Sequence, residues 1–488
     1  MGFGTPPAPR RKAAKLSATV AANTGAAQGR RPGASTYLKL ARDPLRISLF
    51  LLTIITISRV HQHWKFIGKL RPALVLAFLT AVYAYLNPRL IERRGPFYTW
   101  PAKVTVALGV LACLSAAFGI SLGGSAMFII TEYSKTLVFA FLLFAAIRNA
   151  TDLYTLAWAY VVSAAILVWM ALFWFGLSHA SNSAVDRLSN LYTWDANDIG
   201  VVLIVGLALS LLIFQTTSGK GKVAAGLIIA GIGATIARSG SRGTFVGLMV
   251  FGIALLFMLK QVPVVNRAIF LGVIVLGLVI EAPPGYWEQM KTIAAPKEDY
   301  NWTAKDGRKE VAKRGLGYMM EYPVFGLGIN NFWRAECFDS DKAQNHVIGT
   351  GIRCTPPHNS YIQSGAEMGI PGLILFCSLV FGGIASCARL RRRLPRSWLK
   401  GDPEQRFLYL STMYLQLGFI GFAVCAFFLT FAWLDIIYML AAYLGGLYIA
   451  IGEKASRSGA PAAQPAVPRR RMRGAPVQLR FATPPPSE

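Results

Sequence analysis

His358 is the residue in this chain best placed for acid–base chemistry. It stands in Pro356-Pro357-His358-Asn359-Ser360-Tyr361, which runs on through Glu367 to Gly369-Ile370-Pro371-Gly372. The two prolines hold the entry extended, because each fixes φ and disfavours helix at the residue before it. Asn359 or Ser360 then caps a short helix. Gly369 and Pro371 are expected to break that helix before a membrane-crossing run from Leu373 to about Ala388. A ring beside a helix N-terminus meets the positive end of the dipole, which disfavours imidazolium and keeps a base neutral. The plainer alternative is a His that only satisfies local hydrogen bonds.

A second set of residues suits an anion. Arg238 and Arg242 are four apart within Arg238-Ser239-Gly240-Ser241-Arg242-Gly243, and share a face if that joint is helical. Two guanidiniums so close together need an anion or paired acids; interfacial snorkelling is the alternative. Another polar loop, Ser178 to Asp198, carries Asp186, Arg187, Asp195 and Asn197. Further on, Asp306-Gly307-Arg308 opens a helical pattern that ends near Tyr322-Pro323. Gly326 and Gly328 follow, too few glycines for a phosphate loop and better suited to a close backbone turn. Glu336, Asp339 and Asp341 fit either a divalent cation on a diphosphate or a solvated turn. Inside apolar runs, Glu132 and Lys135 are spaced to pair, and Asp435 opens the last run. Charges there are functional suspects by default.

The elements that position these residues are membrane helices. Hydrophobic residues make up 54% of the 488 and charged ones only 15%. Apolar runs near the ~20 residues that cross hydrocarbon recur from end to end. They predict an all-α polytopic integral membrane protein with about 12 transmembrane helices, at roughly 45–60, 72–87, 102–121, 127–147, 154–176, 197–215, 223–237, 244–259, 267–281, 366–388, 407–430 and 432–451. Residues 1–44 and 453–488 are expected to be disordered basic tails. Residues 45–281 carry helices 1–9, 282–357 a large outer loop forming a small helical lobe, and 358–452 the His358 helix with helices 10–12. No apolar stretch with a small-residue cleavage site marks a removable signal peptide. The net charge of +27 would point to nucleic acid in a soluble protein. Here much of it lies in the tails and in short loops on one side, as the positive-inside rule requires, so membrane lipid and not nucleic acid is the expected partner. Both termini are then cytoplasmic. The joint with Arg59, Lys65, Lys69 and Arg71 falls on the other side despite its charge.

Taken together, these stretches resemble the bacterial O-antigen ligase and polymerase superfamily. The match rests on His358-Asn359-Ser360-Tyr361 with Glu367, Gly369 and Gly372, preceded in order by Asp186-Arg187 with Asn197, Ser241-Arg242-Gly243, and Gly307-Arg308 leading to Pro323, Gly326 and Gly328. The resemblance covers about residues 180–390. It implies a membrane-embedded glycosyltransferase of the C type at the periplasmic face of the bacterial inner membrane. Such an enzyme moves a glycan from undecaprenyl diphosphate to a sugar hydroxyl of lipid A–core, with inversion and without a metal or other cofactor. His358 would be the general base, and Arg187, Arg238, Arg242 and Arg308 would hold the diphosphate and glycan. Asn359, Tyr361, Glu367, Asp195 and Asn197 would support them. A polymerase using a lipid-linked glycan as acceptor shares the same signature. A transporter or flippase of an anionic lipid is the reading outside the class, with Glu132 and Asp435 as a proton relay.

Of six cysteines, Cys113, Cys377, Cys387 and Cys425 fall in apolar runs. Cys337 and Cys354 share the long loop, in a compartment where disulfides persist. The spacing predicts a bridge worth roughly 3 kcal/mol in the chain-entropy account.

Overall fold

The computed structural model describes residues 43–87, 96–179, 186–189, 191–258, 260, 262–295, 297, 307–339 and 355–457. Among them, nine helices are long and apolar enough to cross a membrane: α3 (Trp100–Phe118), α4 (Leu122–Ala146), α5 (Ala150–Trp174), α6 (Ala196–Thr216), α7 (Lys220–Ser239), α9 (Val264–Glu281), α12 (Ser360–Arg393), α13 (Pro403–Cys425) and α14 (Asp435–Ser456). Three more are apolar but shorter: α1 (Pro44–Ser58), α2 (Pro72–Leu86) and α8 (Arg242–Met258). Each of the twelve expected runs therefore contains a helix, and nine of the helices meet the length of a span. A polytopic α-helical membrane protein is the architecture.

Burial orders the helices from centre to rim. In the most apolar stretches of α6, α13 and α14, 83%, 89% and 83% of residues are buried, against 22% in α9. Helix α6 packs on α7 and α13, α7 on α9, and α12 on α13. Close approach is set by small residues. A Cβ on Gly233 of α7 would lie 2.6 Å from the Ile274 carbonyl of α9, and one on Gly277 would lie 2.7 Å from the Ala230 carbonyl. Without a hydrophobic difference between lipid and Leu, such backbone-to-backbone contact is what holds helices together in a bilayer.

Successive helices alternate in direction, so their joints collect at two ends. At one end Arg148 pairs with Asp43 and Asp152, Arg46 lies 2.7 Å from Asp152, and Lys454 sits 3.0 Å from Asp402 and 2.7 Å from Glu404. At the other end Ile120 N–H donates to the Leu327 carbonyl (2.9 Å) and Trp194 Nε1–H to the Ile57 carbonyl (3.2 Å). The loop after α9 also folds at this second end. Its described part contains α10 (Tyr286–Lys291) and α11 (Arg308–Glu321), and Val311, Tyr318, Leu327, Phe332 and Ala335 build a small core of their own against Ala366 of α12. The only sheet among the described residues is a hairpin of β1 (Leu177–His179) and β2 (Asp186–Leu188), pairing Ser178 with Arg187.

One sequence expectation needs correction here. The runs 407–430 and 432–451 were expected to be almost continuous, but α13 stops at Cys425 and an irregular turn, Ala426–Leu434, precedes α14. Most of its residues are apolar and buried, several against α12, and hydropathy cannot distinguish that from a span. Arg59, on the end where positive charge is anomalous, is balanced in place. Its guanidinium lies 3.7 Å over the Trp194 ring and 4.0 Å from Asp435, and donates to Thr193 Oγ1 (2.6 Å).

Candidate active site

Asn359 caps α12, its Oδ1 accepting from the N–H groups of Tyr361 (2.9 Å) and Ile362 (3.1 Å). His358, one residue earlier, is half-buried and holds φ +45°, a conformation that L residues seldom adopt. The turn Ala426–Leu434 keeps it there. His358 N–H donates to Thr430 Oγ1 (3.1 Å), and Ser360 N–H to the Ala426 carbonyl (2.7 Å). Ser360 Oγ donates to the Leu429 carbonyl (2.7 Å) and accepts from Phe431 N–H (2.9 Å). The Tyr361 hydroxyl donates to the Ala423 carbonyl (2.9 Å). Further along the helix, Glu367 is fully enclosed. Its carboxylate accepts from Trp433 Nε1–H (2.5 Å) and from the backbone of Asn330 and Phe332.

The expected break is present as a kink. Met368 and Gly369 leave helical geometry, and Gly369 takes φ +68°. A Cβ there would lie 2.6 Å from the Pro323 carbonyl. Because Pro371 has no N–H, the Glu367 carbonyl lacks its usual partner. Because Ile370 N–H instead donates to Pro323 (2.8 Å), the Ala366 carbonyl is released as well. Leu327 and Gly328 N–H take these two carbonyls, Ala366 at 2.9 Å and Glu367 at 3.1 Å, and Ser115 Oγ–H also reaches the Glu367 carbonyl (2.7 Å). Gly326, at φ +70°, makes the approach possible, since a Cβ there would stand 2.4 Å from the Glu367 carbonyl carbon. The glycines thus serve backbone contact, as their spacing suggested.

Arg238 and Arg242 do not share a helix face, because the joint between them is not helical. Gly240, at φ +58°, ends α7 between them, and Arg242 starts α8. Arg238 turns toward α5 and α9, donating to the Leu172 carbonyl (2.8 Å) with Glu281 4.0 Å away. Arg242 Nη1 donates to Thr292 Oγ1 (2.7 Å). Arg187 on β2 lies against Gly240, and its Nη2 donates to Asn197 Oδ1 (3.1 Å). Asp195 caps α6, accepting from Asn197 and Asp198 N–H at 2.7 Å each, and so fixes the residue that orients Arg187.

These two groups meet. A Cβ on Gly243, next to Arg242, would lie 2.6 Å from Phe428 Cβ, two residues before the Thr430 that anchors His358. Arg308 is brought in by register. Gly315 packs on Ile362 and Gly365 on Met319, so α11 and α12 run parallel with Asn359 level with Ala312. At 1.5 Å per residue, Arg308 begins its helix only ~6 Å along the axis from the start of α12. The segments that carry Arg242 and Arg308 thus pack beside the start of the His358 helix or its anchoring turn, and Arg187 lies against the joint before Arg242.

Other expected residues have different tasks. Glu336 is buried in a two-point pair with Arg314 (2.8 and 2.7 Å) and accepts from the Tyr318 hydroxyl (3.2 Å), so it binds the lobe together instead of facing a cation or solvent. Asp341 lies outside the described residues. Glu132 pairs with Lys135 (3.0 Å), while Asp435 accepts from Thr136 Oγ1–H (2.6 Å). Both acids named for a proton relay are thus held by local partners. Cys337 is disulfide-bonded; Cys113, Cys377, Cys387 and Cys425 are free, and Cys354 lies outside the described residues. Thr430, Phe428 and Trp433 escaped the sequence reading because they sit in a run indistinguishable from membrane helix.

A family model described as O-antigen ligase matches residues 225–377. That stretch holds Arg238, Arg242, Arg308 and His358, and leaves Arg187 outside. No curated protein matches the chain.

Proposed function

From the premise that the chain is a member of the O-antigen ligase family, we propose that it is an inverting glycosyltransferase moving glycan from undecaprenyl diphosphate to a sugar hydroxyl of lipid A–core. The observation that supports this reading is that the chain segments carrying Arg242 and Arg308 pack beside the helix start that presents His358 or its anchoring turn, with Arg187 against the Arg242 joint. In the proposed step the acceptor oxygen attacks the anomeric carbon from the face opposite the diphosphate. A C–O bond to the acceptor forms as the C–O bond to the diphosphate breaks, and His358 takes the hydroxyl proton. General base help of this kind contributes typically about 10²–10⁴-fold. The guanidiniums receive the charge that grows on the departing diphosphate. Arg238, turned toward Glu281, has the weaker claim to the diphosphate. Asn359 sets the helix start, Tyr361 and Glu367 lock it to the Ala426–Leu434 turn, and Asp195 with Asn197 orients Arg187.

The site end is read as periplasmic and both termini as cytoplasmic. In support, Arg46, Lys103, Arg148, Lys220, Lys222, Lys260, Arg267 and Arg389–Arg406 belong to the opposite end. The inner membrane follows from the donor lipid. The test is transfer by purified protein supplied with lipid-linked glycan and either lipid A–core or a second lipid-linked glycan. Product with lipid A–core supports the ligase; product only with the second glycan makes the protein a polymerase; product with neither removes the proposal.

A further inference from the structure

We propose that the hairpin between α1 and α2, together with the end of α5, seats an anionic saccharide, and that this saccharide is the acceptor, an identification that rests on the transfer reaction above. The hairpin reads Arg59-Val60-His61-Gln62-His63-Trp64-Lys65. His63 lies flat on Trp174, with centroids 4.3 Å apart and planes at 16°, and its Nδ1 is 2.6 Å from the Tyr192 hydroxyl. Trp64 meets His63 edge-on at 4.9 Å. Trp64, Trp174 and Tyr192 remain 48%, 43% and 40% exposed. A broad aromatic wall is therefore assembled, fixed by hydrogen bonds, and left open.

Three observations favour a sugar over lipid alone. First, the wall carries polar edges. Tyr192 OH and His63 line it, and Gln62 Oε1 accepts from Thr193 Oγ1–H (3.0 Å) beside it. Aromatic faces with a few placed polar groups suit a pyranose, which has an apolar C–H face and a hydroxyl rim. Second, Tyr192 holds φ +56°. An interfacial aromatic belt asks only that rings sit at headgroup depth, whereas strained backbone gathers at ligand sites. Third, Lys65, Lys69 and Arg71 are exposed on the same hairpin, which contains no acid. These are the cations that break the positive-inside pattern, and an anionic ligand gives them a partner. The wall is joined to the His358 site through the buried interior. Arg59 lies over Trp194, Trp194 stacks on Phe431 at 5.8 Å, and Phe431 N–H donates to Ser360 Oγ.

Binding is measured in nanodiscs on a His358→Ala background, so that no turnover interferes. The probe is delipidated core oligosaccharide carrying its phosphates, with the dephosphorylated form as control. His63→Ala/Trp174→Ala should weaken binding by about fivefold or more, the loss of a stacked contact. Lys65→Ala/Lys69→Ala should weaken it by about two- to fivefold and reduce its salt dependence. Tyr192→Phe, which keeps the ring and removes the hydroxyl on His63, should weaken binding without lowering the melting temperature. In transfer assays with His358 intact, the aromatic pair should raise KM for acceptor and leave KM for donor alone. Unchanged oligosaccharide affinity in the variants, equal affinity for the dephosphorylated probe, or no binding at all would overturn the proposal. So would a lowered melting temperature with normal affinity, which marks a membrane anchor, or a rise confined to donor KM. Because binding is read without turnover, transfer that survives His358→Ala would sink the catalytic reading while leaving this result standing.

Discussion

Replacing Thr430 with Val keeps side-chain shape and removes the oxygen that accepts His358 N–H at 3.1 Å. His358 sits at φ +45°, a left-handed conformation costing about 1–2 kcal/mol for a residue with a Cβ. The hydrogen bond it loses is worth about 1 kcal/mol net, and leaving a half-buried N–H without a partner costs about 1–3 kcal/mol. A backbone that already favours leaving the left-handed region thus loses about 1–2 kcal/mol of restraint. Since 1.4 kcal/mol is about tenfold, the ratio of correctly set to displaced rings should fall by about five- to thirtyfold. The assay is transfer kinetics by purified protein, with kcat falling by up to that factor and KM for the lipid-linked donor nearly constant. Thr430→Ser, which restores the oxygen, should recover most of the rate. A Val variant with normal kcat, or a Ser variant as slow as Val, would refute the argument that this bond positions His358.

His358→Ala should keep its fold by detergent gel filtration yet lose at least about 10²-fold in rate; near-normal turnover counts against a base. Arg242→Lys keeps charge but not the planar fork, so transfer should drop clearly, and excess EDTA should leave the wild-type rate unchanged. Restoration of chelated enzyme only by Mg²⁺ or Mn²⁺ would reopen the question of a metal. Gly326→Ala places a Cβ 2.4 Å from backbone at φ +70°, so a thermal-shift assay should show a loss of about 3 kcal/mol or more. Glu336→Gln breaks a buried ion pair and should cost about 2–4 kcal/mol by the same measurement.

Much of this was legible because hydropathy period and caps are local. A cap at Asn359 or Ser360, the break at Gly369 and Pro371, and the close turn at Gly326 and Gly328 follow from residue chemistry within a few positions. What was illegible depends on distant partners. Nothing near Glu336 announces Arg314, twenty-two positions earlier and on another helix. Gly240 defeats the four-residue spacing of Arg238 and Arg242 by taking φ +58°. The Ala426–Leu434 turn is mostly apolar and buried, so the residue that anchors His358 hides inside an apparent span. The helix pair Glu132–Lys135 was visible, being local, while the Arg59–Trp194 stack was not.

The kink at Met368 and Gly369 separates two mechanical parts of one helix. A straight helix of 34 residues would be a lever about 51 Å long. Bilayers of different thickness are met by tilting the spanning rod. The cap segment from Ser360 to Glu367 is about 12 Å long, so a tilt of about 10° carried rigidly would sweep its tip by about 2 Å. Displacements of only ~1 Å can cost about a hundredfold in rate. With the joint broken at Gly369, and the cap fastened to α11 and the Ala426–Leu434 turn, rod tilt is absorbed below the site. Turnover should then stay nearly level across vesicles of graded acyl-chain length.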